Sequence, residues 1–256
     1  MSLIKEFAER EYKTVFYDPL LKHVRSLIPI DYSLFAFNIQ KPKFSWDDKL
    51  EAYAIVMPPF YIMTGYNGKH VKQYKHEEIS TKYKEYELTI HFMEISQFVD
   101  YLIDCHMYLF PVFSTRSNAW FIEKKIAAKF FAMMKACLAL PNVYYAVYQL
   151  RKQLREAVTV KEIAHIIYET GMIRKYLRTG EIATGMFYAT DMLNKNVIDD
   201  YIFLRKEEVD DEIIEYLDDV LIKMENRRVH KRIPSKLDMG HILGYIQQIK
   251  MMYTVK

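Results

Sequence analysis

Trp46-Asp47-Asp48-Lys49-Leu50-Glu51-Ala52-Tyr53-Ala54-Ile55-Val56-Met57 is the stretch on which the fold turns. Within it, Leu50, Ala52, Ala54 and Val56 alternate with Glu51, Tyr53 and Ile55, and little polar alternation is left. That is the pattern of a strand covered on both faces. Outward from it, Tyr32–Ile39 and Tyr86–Ile90 are further β-prone runs, punctuated by Pro29, Pro42, Pro58-Pro59 and Tyr66-Asn67-Gly68, so residues 28–95 are expected to form a small mixed sheet. Ahead of it, Leu3, Phe7, Val15, Phe16, Leu20, Leu21, Val24 and Leu27 have the spacing of an amphipathic helix broken near Asp18-Pro19. Beyond Ile95 the spacing is helical throughout, with no convincing strand: Phe98 to Ile103, Phe121 to Cys137, Ile163 to Leu177, Glu208–Arg227 and Asp238–Met251. Thr159 and Glu162 stand at capping-box distance at the start of the third run, and Gly180 is placed as its left-handed stop. The expected class is α+β, a small mixed sheet followed by a C-terminal helical bundle. The boundaries are 1–95 for a sheet domain with a leading helix and 96–256 for a helical domain.

Composition narrows the chemistry. The chain has 256 residues, 51% apolar and 27% charged, with a formal net charge of +3, which excludes a disordered tail and a surface that is wholly an anion trap. Seven glycines, none before Gly65, leave no phosphate-cradling GxGxxG or GxxxxGK[ST] loop, so P-loop, kinase and Rossmann readings fall away. Cys105 and Cys137 are too far apart for a CxxC site and suit a reducing cytoplasm. The longest uncharged stretches, Tyr53–Gly68 and Ala136–Leu150, are shorter than the ~18 residues of a spanning helix and carry proline, so no membrane association is expected. Charges at Lys5, Glu6, Glu9 and Arg10 break up any secretory leader.

Asp47-Asp48, with Glu87 from a neighbouring strand as third member, is the acidic set whose context suits a pair of divalent ions and in-line phosphoryl transfer. The plainer account makes Asp47-Asp48 a loop cap and Glu87 a solvent-facing strand acid. His165, on one helix surface with Lys161 and Glu169, is either a ligand or a structural histidine. Arg174, Lys175 and Arg178 form a basic stripe, and Arg227-Arg228 with His230-Lys231-Arg232 a second; each can hold phosphate or simply balance a helix C-terminus. The 21 tyrosines, Tyr144, Tyr145 and Tyr148 among them, suit base stacking or interfaces, and an AT-rich genome is the expected source of most of them.

Three segments occur in an order that resembles the phage-type and bacterial nucleotidyltransferase-like proteins of the DNA polymerase β superfamily. They are Lys84-Glu85-Tyr86-Glu87-Leu88-Thr89, then Lys161 to Ile167 followed by Tyr176-Leu177-Arg178-Thr179-Gly180-Glu181, then Ile233-Pro234-Ser235-Lys236-Leu237-Asp238. The resemblance runs from about residue 30 to 251 and implies a nucleotidyltransferase-type sheet, Mg²⁺ and an NTP. Ser33 and Lys49 would then contact phosphate, and His165, Arg174 and Arg178 would help hold the nucleotide. Where the family has a Gly-Ser pair, this chain has Tyr32-Ser33-Leu34 without glycine. Where the family has Asp-x-Asp, it has Asp47-Asp48-Lys49, and Tyr168 replaces the arginine of the long helix. A lysine in a carboxylate's place offers no lone pair to a metal.

The expected function is accordingly a nucleotidyltransferase-like protein impaired in catalysis, binding nucleotide, RNA or a host protein in the cytoplasm of a phage-infected cell. The first alternative is an active Mg²⁺-dependent nucleotidyltransferase moving an NMP to an RNA or protein acceptor, with Asp47, Asp48 and Glu87 as a rearranged metal set. The second is a structural or oligomeric helical protein associating through its last helix, where Gly240-xxx-Gly244 and Met251-Met252 allow close packing.

Overall fold

The computed structural model describes residues 18–28, 32–40, 44, 46, 49–57, 77–83, 86–104, 120–182, 189–226 and 229–254. In chain order these form α1 (Asp18–Leu27), β1 (Ser33–Gln40), β2 (Lys49–Met57), β3 (Glu77–Tyr83), β4 (Tyr86–Glu94), α2 (Ile95–Ile103), β5 (Trp120–Ile122), α3 (Lys124–Cys137), α4 (Leu140–Glu156), α5 (Val160–Thr179), α6 (Lys195–Ile202), α7 (Asp211–Glu225) and α8 (Met239–Thr254). The class is α+β, as the alternation of β2 and the helical spacing after Ile95 require. The early part of the leading helix, Asp47, Asp48, Lys84, Glu85, Arg227, Arg228 and Cys105 lie outside the described residues.

The five strands lie in the order β3-β4-β2-β1-β5. β2 and β4 are parallel, while the β3–β4, β2–β1 and β1–β5 pairs are antiparallel. The sheet is therefore mixed, with β2 in the middle, and both faces of β2 are covered. On one side Leu50, Ala52 and Ala54 meet Leu88, Ile90, Phe92, Phe37 and Ile39 beneath Leu20, Leu21 and Val24 of α1. The alanines leave room for α1 to approach the sheet. On the other side Tyr53, Ile55, Met57, Ala36 and Met93 pack against α2, α3 and α8 through Phe98, Phe130 and Ile246. A bulge between Leu34 and Ala36 shifts the β1 register by one residue.

One feature differs from expectation. Trp120–Ile122 forms a short strand on the β1 edge, whereas spacing placed Phe121 in a helical run; three residues are too few for a periodicity to show. Ser33 opens β1, within the β-prone run Tyr32–Ile39, and so has no helix N-terminus to present to phosphate. Tyr86-Glu87-Leu88-Thr89 lies wholly within β4, as its β-prone character predicts, and β4 runs on to Glu94 before α2 begins. The chain passes directly from Glu94 into Ile95, so the expected boundary at residue 95 falls at an uninterrupted strand–helix junction.

The remaining helices share a second core of α4, α5, α6 and α7, built from residues such as Leu150, Ile163, Ile167, Met172, Tyr201, Leu217 and Leu221. The start of α5 is capped as its sequence predicts: Thr159 and Glu162 bond reciprocally, and Gly180 ends the helix in the left-handed region at φ 71°. A side chain at Gly171 would place its Cβ 2.4 Å from the Ala189 carbonyl oxygen, so two backbones touch there and only glycine fits. Gly171→Ala is expected to lower stability by about 1–3 kcal/mol, read as a lower denaturant midpoint at unchanged slope.

Phe44 and Trp46, from the β1–β2 connection, belong to the helical core. Phe44 is 6% exposed there. It stacks on Trp46 at 4.4 Å and meets His165 edge-on at 5.0 Å, and the Trp46 indole N–H donates to the Ile202 carbonyl at 3.0 Å. Sheet and helical half are thereby fastened through the β1–β2 connection, far ahead in sequence of the helices that receive it. Phe44→Ala is expected to cost about 3–5 kcal/mol while leaving one cooperative transition, monitored in parallel by near- and far-UV circular dichroism.

Candidate functional site

Residues opposite one another in neighbouring strands share a face. On the face of β2 that carries Tyr53 the register therefore builds successive rows. Ala36, Ile55 and Met93 are apolar and covered by α2, α3 and α8; then come Asn38, Tyr53, His91 and Glu78; then Glu51, Thr89 and Ser80; then Lys49, Glu87 and Lys82. Strand rise sets these rows about 7 Å apart. Burial falls along the same axis. Asn38, Tyr53 and His91 are buried, Glu51 and Thr89 half-buried, and Lys49, Glu87 and Lys82 exposed. The face thus passes from core to ionic surface within four rows.

The middle of this face is a connected polar array. The Tyr53 hydroxyl donates to Glu51 Oε2 at 2.6 Å, its ring stacks on His91 at 5.0 Å and 9°, and His91 Nδ1 lies 3.3 Å from Glu78 Oε1. Glu51 holds its carboxylate half-buried next to a phenol donor, where a hydrogen bond to a charged acceptor is worth about 1.5–3 kcal/mol. Lys49 and Lys82 flank Glu87 across the two strand pairs, so the exposed end carries two cations around one anion.

Of the residues singled out in the sequence, the structure brings Lys49 and Glu87 together as register partners. Ser33, at the far end of β1, is exposed and paired with Met57. Asp47 and Asp48 lie outside the described residues. Among the described residues, no three His, Cys, Asp or Glu side chains converge in a way that could hold a metal ion. Sequence reasoning missed Tyr53 because it treated β2 as core, while His91 on β4 and Asn38 on β1 join this face only through the strand register. The signal was present: Lys49, Glu51 and Tyr53 are spaced by two, which puts all three on one face.

His165 is placed elsewhere. With Glu162 and Glu169 it lines a cleft of about 1160 Å³ whose walls are α4 and α5, with the end of α2 and Leu237 at its margins and no strand residue among its described lining. Arg174 is half-buried and Arg178 exposed on the same helix, while Lys175 pairs with Asp191 at 2.7 Å. Tyr168, the residue in place of the family's arginine, is a core residue 6.4 Å from the Phe44 ring. Cys137 is buried, and burial together with Asp100 pushes its thiol up to about 12, which makes it inert as a nucleophile. No single described helix is long and apolar enough to cross a membrane. α3 from Lys125 and α4 would suffice only together, and they bend by 61°.

Glu162 is held below the usual carboxylate range by the Val158 backbone N–H first, then by the Thr159 hydroxyl and N–H. A depressed carboxylate contributes stability above its unfolded-state pKa, and that contribution disappears as pH falls through the folded value. The stability gap between the native chain and Glu162→Gln should therefore be present at neutral pH and close below about pH 4, as followed by urea unfolding across that range.

No family model matches the chain. No curated protein matches it. Among solved structures it is similar to the crystal structure of a nucleotidyltransferase-like protein from Exiguobacterium sibiricum, with 8% identity and a TM-score of 0.29 over 86% of this chain and 73% of the other. A superposition that loose carries no residue correspondence.

Proposed function

We propose that this chain is a nucleotidyltransferase-like protein whose sheet face binds a nucleotide or the phosphates of RNA without transferring a nucleotidyl group. The reading draws its family from the ordered segments around Tyr86–Thr89, Lys161–Ile167, Tyr176–Glu181 and Ile233–Asp238. The observation that carries the loss of transfer is the content of β2. In the family the metal acids share a strand face at positions two apart; here the positions that share the β2 face are Lys49, Glu51 and Tyr53. One of the three is a carboxylate, and it already accepts the Tyr53 hydroxyl.

Two-metal phosphoryl transfer depends on carboxylates that neutralise and clamp both ions. A lysine at the edge of the face acts in the opposite sense. It repels a divalent cation and attracts phosphate directly, as a point charge. Lys49 and Lys82 supply that charge at the exposed end, and the buried Tyr53–His91 stack closes the other. The matching ligand is an anion whose phosphates take over the role of Glu87 between the lysines. Partners of the same chemistry are a free nucleotide and RNA, in an infected cell or any other cytoplasm.

Titration calorimetry with each NTP tests this. Binding is expected in EDTA, with affinity changed less than about threefold by Mg²⁺, and Lys49→Ala with Lys82→Ala is expected to weaken it by roughly tenfold. Incubation with radiolabelled NTP and Mg²⁺ should label no protein or RNA acceptor. Magnesium-dependent NMP transfer that disappears in Asp47→Ala or Glu87→Gln would instead establish an active enzyme.

A further inference from the structure

The five-stranded sheet stops at β3, whose inner edge is bonded to β4 and whose outer edge meets no further strand among the described residues. An edge of this kind is a template for another strand, and chains ordinarily guard it with charge, proline or a bulge. β3 reads Glu77-Glu78-Ile79-Ser80-Thr81-Lys82-Tyr83, without proline, and its seven residues pair with β4 without a register break. Charge is the guard that remains, so its pattern decides what the edge admits.

Alternation sends Glu78, Ser80 and Lys82 to the polar face, opposite His91, Thr89 and Glu87 of β4, and Ile79 and Thr81 to the other face, opposite Ile90 and Leu88 beneath α1. Glu78 and Lys82 are exposed and stand on one face on either side of Ser80. Glu78 Oε1 lies 3.3 Å from His91 Nδ1, yet the side chain is 57% exposed, and a carboxylate has a second oxygen to offer at the open edge. Two such strands laid parallel bring like charges together. Laid antiparallel, the acidic end of one meets the basic end of the other. A twofold axis at Ser80 puts Glu78 opposite Lys82 of the second copy, Lys82 opposite its Glu78, and Ile79 opposite its Thr81, at the spacing where cross-strand charges interact. All seven residues are then paired and each face meets its like. Sliding the copies by one residue turns polar positions against apolar ones. Sliding them by two leaves five of the seven pairs and breaks both charge contacts.

We propose that β3 is the interface at which two copies of this chain associate, antiparallel about Ser80, so that two sheets become one. The interface is isologous, and each charge contact therefore occurs twice. It also brings Lys82 of the second copy to Glu78, the outermost member of the Tyr53–His91–Glu78 array, and makes the polar faces of the two copies continuous. One strand pair buries less surface than a permanent dimer needs, so the association is weak and depends on concentration. It does not require nucleotide binding and stands or falls separately from it.

Sedimentation velocity on the full chain without nucleotide, from about 5 to 500 µM, is the test. Self-association is expected, weakened about tenfold or more by Glu78→Lys and by Lys82→Glu, because each substitution sets like charges opposite one another twice. An equimolar mixture of the two variants restores opposite charges at both positions, and heterodimers of about the parent's affinity are expected. Hydrogen exchange on the unsubstituted chain gives a reading that needs no variant: uptake over residues 77–83 should fall as concentration rises. A monomer throughout the range, or self-association unaffected by either substitution, overturns the proposal. So does a mixture no more associated than its components, or exchange in β3 that is indifferent to concentration.

Discussion

The stacked rings of Phe44 and Trp46 are the constraint on which both halves depend. They come from the connection between β1 and β2, yet they lie in the helical core, edge-on to His165, with the indole nitrogen bonded to the Ile202 carbonyl and Lys161 over the indole face. Three residues after Trp46 the chain enters β2, so the strand that centres the sheet starts from a fixed point on α5. Burial of the Phe44 ring and part of the Trp46 ring supplies the energy, and the directional indole bond sets the orientation. The polar face of β2 inherits its position from this anchor.

The two candidate surfaces, sheet face and cleft, are built from different periodicities. In the sheet, period two sends Lys49, Glu51 and Tyr53 to one side and Leu50, Ala52 and Ala54 to the other, and α1 covers only the second set. In the helical half, steps of three and four on α5 bring Glu162, His165, Ile166 and Glu169 to one wall, opposite Tyr145 and Asn142 on α4. Helix-terminal charges elsewhere are locally compensated, as in the pairing of Lys206 with Asp210, which caps α7. The cleft acids include one, Glu162, that is itself a capping residue, so part of its charge is committed to the helix start.

Local signals were the most legible part of the sequence. The box of Thr159 with Glu162, the left-handed stop at Gly180 and the largely apolar strand of β2 depend on neighbours within a few residues, and each is found as its spacing implies. What escaped depends on distant partners. β5 is three residues long and exists because β1 offers an open edge at Ala36–Asn38. The polar rows of the sheet arise only when β2, β3 and β4 are set in register, which no single strand reveals. Equally, Phe44 and Trp46 carry no periodic signal, since a lone aromatic pair beside Pro42 reads as a loop until the helix that receives it is known.

The close approach at Gly171 bears on how this lineage can vary. A backbone contact without side chains between cannot be relaxed by repacking, because neither Gly171 nor the Ala189 carbonyl has an atom to give up. Drift at that crossing is therefore confined to coordinated displacement of whole helices, and substitutions elsewhere in α5 are filtered by whether they keep the spacing. Related chains should accordingly diverge freely along the outer side of α5 while the crossing itself stays frozen, a footprint that an alignment of descendants would display as one invariant column amid variable ones.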